Sequence, residues 1–333
     1  MFGNLILRYA FFFMNSVYDI QALEKLIRDP HQRKKFLNAY VKKALSPEEC
    51  PDLASEFPPT LEILERHDSK TDGATKLVFQ CLEDGAKVEA VILRIASGRT
   101  SLCISSQIGC AADCQFCATG AMGFIRNLTS AEMLDQVLLA KRLLREEGRR
   151  LRNVVVMGMG EPLHNEENLF QCLETLRDPR FFNLSERHLM VSTVGVPDAM
   201  VRFHERFPNI QLALSLHSAR QEVREQLMPI SKVYTLEMIK KVLPEKLMVE
   251  VLLLKGINDS SEELSSIIEF LSGIQSHINL IQFNAHPGAK YEPVSPEARK
   301  AFGDALKNAG FKVTLRYSLG EDIAAACGQL AGK

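Results

Sequence analysis

The sequence predicts an α/β chain built as a partial, open (β/α)6 barrel with a small N-terminal accessory region. Two observations carry that expectation. From Ser101 onward, short apolar runs rich in β-branched residues alternate with amphipathic runs of helical period, the pattern of βαβ units around a parallel sheet. Polar and glycine-containing stretches then follow the β-like runs, where such folds gather their working loops. About six units follow the first strand, too few to close an eight-stranded barrel.

The 333 residues are enough for one large α/β domain with an appendage. A hydrophobic fraction of 46% and a charged fraction of 24% belong to a globular protein. The net charge of −1 offers no global attraction to a polyanion, so any nucleic-acid binding must use local patches. Leu5 to Phe13 is apolar but is interrupted by Arg8. It is too short to cross a bilayer and lacks a small-residue cleavage site. A start at Met14 is as reasonable as a packed strand there.

Residues 1–95 form the expected accessory region, and 96–333 the core with its C-terminal tail. Asp19 to Leu45 has helical spacing of Leu23, Leu26, Ile27, Phe36, Leu37 and Val41, accompanied by Lys34, Lys35, Lys42 and Lys43. Those lysines read as a solvated face, with phosphate contact the alternative. Ser46 to Pro59 is proline-rich and reads as a linker. Lys76–Gln80 and Val88–Ile95 read as strands joined by a turn at Glu83-Asp84-Gly85. The core strands are expected at Leu102–Ile108, Val154–Met157, Leu189–Val191, Leu212–Leu216, Val249–Leu254, Ile278–Phe283 and Val313–Leu315. Helices are expected at Ala131–Glu146, Glu167–Leu176, Leu236–Val242, Glu262–Leu271 and Pro296–Asn308.

The loop after the first core strand carries Cys110, Cys114 and Cys117, three thiols within eight residues. A closed zinc site needs four ligands, and no fourth Cys or His lies in or just after this run. Thiolates also hold iron–sulfur clusters, and three ligands on a [4Fe–4S] cluster leave one iron open to a small molecule. A zinc loop borrowing a distant ligand and a trio of core cysteines are the competing readings. The eight cysteines in so long a chain fit a reducing compartment better than a disulfide framework. Gly160 and Glu161, Ser192, Ser215-Leu216-His217 and Asn284 end later strands in loops of turn-like chemistry. Cys327 sits six residues from the C-terminus between Ala326 and Gly328, poorly placed for a core and free to react. Cys50, Cys81 and Cys172 read as ordinary small side chains.

Six segments give the chain a close resemblance. Cys103 to Gly120 reads CISSQIGCAADCQFCATG and Gly123 to Thr129 reads GFIRNLT. MGMGEPL begins at Met157, STVG at Ser192, SLH at Ser215 and AACGQL at Ala325. In this order they resemble the radical-SAM RNA adenine methyltransferases of the RlmN/Cfr type. The resemblance implies that Cys110, Cys114 and Cys117 hold a [4Fe–4S] cluster that chelates S-adenosylmethionine (SAM), with Phe116 near its adenosine. Gly160 and Glu161 would take the SAM amino group. Ser192, Ser215, Leu216, His217 and Asn284 would surround its ribose, carboxylate and adenine. Cys327 would receive a methyl group from one SAM, and a radical generated from a second SAM would activate that methyl for addition to an adenine ring carbon. Cys103 would then release the RNA by forming a disulfide with Cys327, and Glu89 matches a family proton acceptor.

The substrate so implied is adenosine C2 of 23S rRNA, with tRNA as a second candidate, and C8 of an rRNA adenine as the alternative. The implied setting is a cytoplasmic monomer served by an electron donor such as flavodoxin, with no membrane. Leu319-Gly320-Glu321-Asp322 departs from the Arg-Gly-Asp-Asp usual in C2 enzymes. From another class, a non-catalytic RNA-binding protein with a structural metal site would explain the cysteine loop. It would leave Cys327 without a purpose.

Overall fold

The computed structural model describes residues 16–50, 53, 55–286 and 288–332; the apolar run at 5–13 lies outside them. Ten strands form one sheet in the order β1-β2-β3-β4-β7-β8-β9-β10-β11-β12. β4 (Thr100–Ile104), β7 (Asn153–Val156), β8 (Leu189–Thr193), β9 (Gln211–Ser215), β10 (Lys246–Leu253), β11 (Gln275–Gln282) and β12 (Lys312–Arg316) are parallel. Every expected core strand is present, and the crossovers make the open (β/α)6 arrangement. β1 (Leu61–Asp68), β2 (Ala74–Cys81) and β3 (Lys87–Arg94) continue that sheet as an antiparallel meander on β4. The expected boundary at 95/96 therefore falls between two paired strands. β1 was not expected, because Glu62, Glu65, Arg66 and His67 face outward along it and hide its apolar alternation.

The expected strand at Leu102–Ile108 breaks in two. Gln136 clamps Ser105 from both sides, accepting from its N–H at 2.9 Å and donating to its C=O at 3.0 Å. The chain bends there, and β5 (Gln107–Gly109) pairs instead with β6 (Phe124–Asn127) in a separate ribbon that frames the cysteine loop. Gly109 has a left-handed φ of 73°, and a Cβ would stand 1.8 Å from the carbonyl oxygen of Gly123. Only glycine lets the ribbon close this tightly.

Ten α-helices lie among the described residues. α1 (Ile20–Leu26) and α2 (Pro30–Leu37) start on Asp19 and Asp29, whose carboxylates accept first-turn N–H groups. A single π-helical turn, Asn38–Lys42, extends α2. α3 (Ala118–Ala121) follows Cys117 directly. α4 (Ser130–Glu146) opens on a reciprocal Thr129–Glu132 capping box. α5 (Glu166–Arg177), α6 (Pro197–Arg206), α7 (Gln221–Leu227), α8 (Leu236–Lys240), α9 (Ser261–Phe270) and α10 (Pro296–Asn308) complete the crossovers. The short α6 and α7 were not expected.

α4 also anchors the accessory segment. Its buried Asp135 accepts from Tyr18 Oη at 2.8 Å and from Thr60 N at 2.5 Å. Lys141 donates to the Val41 and Lys42 carbonyls, and Arg142 lies over the Tyr40 ring, 4.8 Å from its centroid. No helix among the described residues is long and apolar enough to cross a membrane.

Candidate active site

The carboxyl ends of the parallel strands hold the expected site residues together. The cysteine loop is fixed by its own backbone: Cys110 N donates to Gly123 O at 3.0 Å, and Cys117 N to Cys114 O at 3.0 Å. Gln115 N reaches across to Leu227 O at 2.9 Å, docking the loop on the end of α7. The Cys110 thiol faces the backbone N–H groups of Ala112 and Glu161; burial nevertheless pushes it up to about 12. Burial also raises Cys114 strongly, and charges on Cys117 and Cys110 raise it further.

Three mutually acting thiols in a low-dielectric loop, one receiving N–H groups, suit a cysteine-ligated iron–sulfur cluster. Among the described residues, no three His, Cys, Asp or Glu side chains are close enough to hold a single metal ion. A cubane cluster asks for a wider triangle, because each thiolate sits on its own iron.

Gly160 has a φ of 99°, and a Cβ there would lie 2.5 Å from the Gln107 side chain. The tight turn delivers Glu161, whose N–H donates to Gln107 Oε1 at 2.8 Å. The buried Glu161 carboxylate accepts from Thr193 Oγ1 at 2.8 Å, Val194 N at 2.7 Å and Leu163 N at 3.0 Å. Burial outweighs these donors and pushes its carboxyl up to about 7. A carboxylate has about four acceptor positions, so one remains for a ligand. Glu161 thus ties the β7 loop to the β8 loop before it can hold anything else.

Ser192 Oγ and Ser215 Oγ lie 3.1 Å apart across adjacent strand ends. The backbone of the buried Leu216 is engaged on both sides, its N–H by Glu250 O and its carbonyl by Arg224 Nε. His217 has a left-handed φ of 55° and accepts from Leu252 N through Nδ1 at 3.1 Å, so its proton sits on Nε2. Burial, then the nearby Arg224 charge, lowers the ring to about 3 and keeps it neutral. Its ring meets Phe116 edge-on at 4.8 Å, joining the SLH turn to the cysteine loop.

The C-terminal tail crosses this mouth. Gly328 O accepts from Ala118 N at 2.7 Å, and Leu330 O from Thr119 Oγ1 at 2.6 Å. Asn284 donates to Cys327 O at 3.2 Å and Gln329 to Ala285 O at 2.7 Å. Asp72 and Asp322 pin Gly320 and the Ser69-Lys70 turn, fastening the tail to the β1–β2 hairpin. Cys327 is open to solvent but lies deep in the mouth, where crowding by protein raises its thiol; Arg316 opposes that, and Glu250 and Cys117 add to it.

Cys103 pairs with Val91 across β4 and β3, which places Glu89 on the same face two residues along. Burial pushes the Cys103 thiol up to about 12, and a charge on Cys327 raises it further. Glu89 is buried, accepts from Ala331 N at 3.0 Å and stands 3.5 Å from Lys76 Nζ. All eight cysteines are unpaired.

Sequence reasoning missed two groups here. Arg224 is fully buried and donates to Leu216 O, Ser231 Oγ, Val194 O and Ser215 O. In a short segment with Glu222, Glu225 and Gln226 it reads as a solvent-facing helix residue. Glu250 is buried on β10; Asn279 donates to one of its oxygens at 2.8 Å, and Arg316 forms a looser ion pair with the same oxygen at 3.7 Å. Its neighbours Val249 and Val251 mark only a strand.

Known proteins resemble this chain over most of its length. Residues 104–271 match the radical SAM superfamily. A probable RNA methyltransferase of Rhodopirellula baltica is 45% identical over 94% of this chain and 86% of its own length. A dual-specificity RNA methyltransferase RlmN of Syntrophobacter fumaroxidans is 37% identical over 90% of this chain and 91% of its own. The crystal structure of a radical SAM methyltransferase from Sphaerobacter thermophilus superposes with a TM-score of 0.87 at 32% identity, covering 96% of this chain and 98% of that one. The cofactors of such enzymes are a [4Fe–4S] cluster and SAM. With its motifs, its sheet and its relatives in agreement, the chain belongs to the radical-SAM RNA methyltransferase family.

Proposed function

We propose that this enzyme methylates a ring carbon of adenine, C2 of an adenosine in 23S rRNA and also in tRNA, through a methyl-Cys327 intermediate. The observation that carries the reading is a solvent-open thiol, Cys327, on a tail strapped by Asn284, Ala118 and Thr119 across the mouth that holds the cysteine loop. A binding module has no use for that arrangement. Several relatives are dual-specificity RNA methyltransferases RlmN, which supports an RNA substrate and more than one target.

A cluster and SAM, held by Cys110, Cys114, Cys117 and the Gly160, Glu161, Ser192, Ser215, Leu216, His217 and Asn284 loops, supply radical chemistry when bound. The remaining work belongs to the chain. The Cys327 thiolate takes a methyl group from the sulfonium of one SAM, forming an S–C bond as the sulfonium releases its own. Once that carbon is joined to adenine, Glu89 accepts the ring proton. The Cys103 thiolate then attacks Cys327 Sγ; the S–S bond forms, the S–C bond breaks and its electron pair goes to the methylene carbon, which takes up a proton to complete the methyl group, while the unpaired electron left by radical addition returns to the electron carrier. The resulting disulfide must be reduced by an external dithiol before the next cycle. Residues 1–95 act as an accessory unit and 96–333 as the catalytic core. The protein works as a cytoplasmic monomer, with flavodoxin or a similar carrier as electron donor.

The departure at Leu319 to Asp322 favours a second reading, methylation at C8 of an rRNA adenine. Mass spectrometry of rRNA and tRNA nucleosides from cells with and without this gene separates the readings. Loss of 2-methyladenosine supports the first, loss of 8-methyladenosine the second, and no change in either refutes both.

A further inference from the structure

Arg224 poses an electrostatic problem. A guanidinium with no solvent exposure is costly unless an anion compensates it. All four of its recorded acceptors are neutral: three carbonyls and the Ser231 hydroxyl. Among the described residues no carboxylate forms an ion pair with it. The buried Glu263 on α9 is occupied by Ser218 and Ala219.

The backbone nevertheless brings one prospective anion within its field. α7 carries both Arg224 and Leu227, and Leu227 O holds the cysteine loop through Gln115 N at 2.9 Å, one residue from Cys114. The acceptors of the guanidinium are the ends of the STVG and SLH loops, so its side chain lies beneath the site. The SLH turn that Arg224 holds through Leu216 O also touches the cysteine loop, where His217 meets Phe116 with ring centres 4.8 Å apart, so the loop is tied to the Arg224 environment at two points. A metal-free loop with protonated thiols offers no counter-charge. A loaded loop, with thiolate ligands and the further negative charge that reduction adds, offers one.

We infer that Arg224 is the buried counter-charge of the cysteine-ligated centre, a positioning residue that stabilises the loaded, reduced state. It acts through Cys114 and the loop ends, and it should raise the reduction potential relative to a neutral side chain. The inference rests on Cys110, Cys114 and Cys117 being the ligands. A wild-type protein that takes up no iron removes that assignment as well, whereas a loaded wild type leaves Arg224 to be judged alone.

The test compares wild type, Arg224→Gln and Arg224→Lys as full chains reconstituted anaerobically with iron and sulfide. Iron retention against a chelator, the midpoint from an EPR-monitored redox titration, and thermal unfolding with and without iron are the readouts. Arg224→Gln should lose iron several-fold faster, titrate at a more negative potential, and gain less thermal stability on loading than wild type. Arg224→Lys keeps the charge but not the fan of hydrogen bonds, and should stay near the wild-type midpoint. An unmoved midpoint in Arg224→Gln, with equal loss of stability in metal-free and loaded protein, would show a purely structural clamp and overturn the inference. Should Arg224→Gln fail to fold, Arg224→Met is read in its place by the same midpoint, a more negative value supporting the counter-charge and an unmoved one overturning it.

Discussion

Asn284 Nδ2 donates to the carbonyl oxygen of Cys327 at 3.2 Å, so the end of β11 holds the backbone of the tail thiol directly. The same amide also donates to Ser318 Oγ at 2.8 Å, gripping the tail at two points. Removing it should loosen the tail more than it unfolds the protein. Asn284→Ala is expected to lower the methylated fraction of Cys327 and to speed proteolysis after Leu315. A single buried hydrogen bond of this kind contributes about 1 kcal/mol, so global melting should shift little. Wild-type protein made in cells should carry about 14 extra mass units on its tail peptide, as S-methylation of a nucleophilic thiol requires.

The two thiols are distinguished by what accumulates. Cys103→Ala should still accept a methyl on Cys327 and still join RNA, but should not release it, because thiol exchange needs an attacking thiolate. A protein–RNA adduct on a denaturing gel is expected from Cys103→Ala and from no variant lacking Cys327. Normal turnover by Cys103→Ala would contradict its assigned role.

Each of Cys110→Ala, Cys114→Ala and Cys117→Ala should lose bound iron and SAM cleavage, because three ligands leave no redundancy. Iron analysis and deoxyadenosine production after anaerobic reconstitution check this. Full values of both in any one variant would remove the cluster assignment.

His217 makes stability depend on pH. Its ring pKa falls from 6.5 to about 3 on folding, by burial first and Arg224 second. Between those values the unfolded chain binds a proton that the folded chain does not, so this contribution is complete above pH 6.5 and is lost as pH falls toward 3. The slope is about 1.4 kcal/mol per pH unit while only the unfolded state is protonated. In metal-free protein, His217→Asn should flatten denaturant-derived stability across that window relative to wild type. Parallel curves for the two proteins would mean that the ring is charged in the folded state.

Of the cations along the end of α4, only some are free for phosphate. Lys141 and Arg142 pack against the accessory segment, and Arg145 pairs with Glu49 at 2.6 Å. RNA contact from this stretch therefore falls to Arg149, Arg150 and Arg152, which remain exposed. Charge reversal at Arg149 and Arg150 should weaken RNA binding and reduce its salt slope by about one per lost phosphate contact. Lys141→Met should instead act on thermal stability and leave the slope alone.

Much of this protein was legible along the chain. The βα alternation stood out because parallel strands, buried on both faces, leave apolar runs that periodicity detects. The cysteine loop stood out because ligand number and spacing are local properties of eight residues. The tail cysteine stood out as chemistry without a packing purpose. What the sequence could not decide depended on residues far apart in the chain. The break after Ile104 comes from Gln136, which lies 31 positions beyond Ser105. Glu161 spends most of its acceptor capacity on Thr193, Val194 and Leu163 before any ligand arrives. Arg224 reads as a surface residue until four acceptors from three loops close around it. Local spacing determined which atoms can do chemistry; only the folded chain decided which of them are buried, paired or left exposed, because burial and hydrogen bonding are set by neighbours in space.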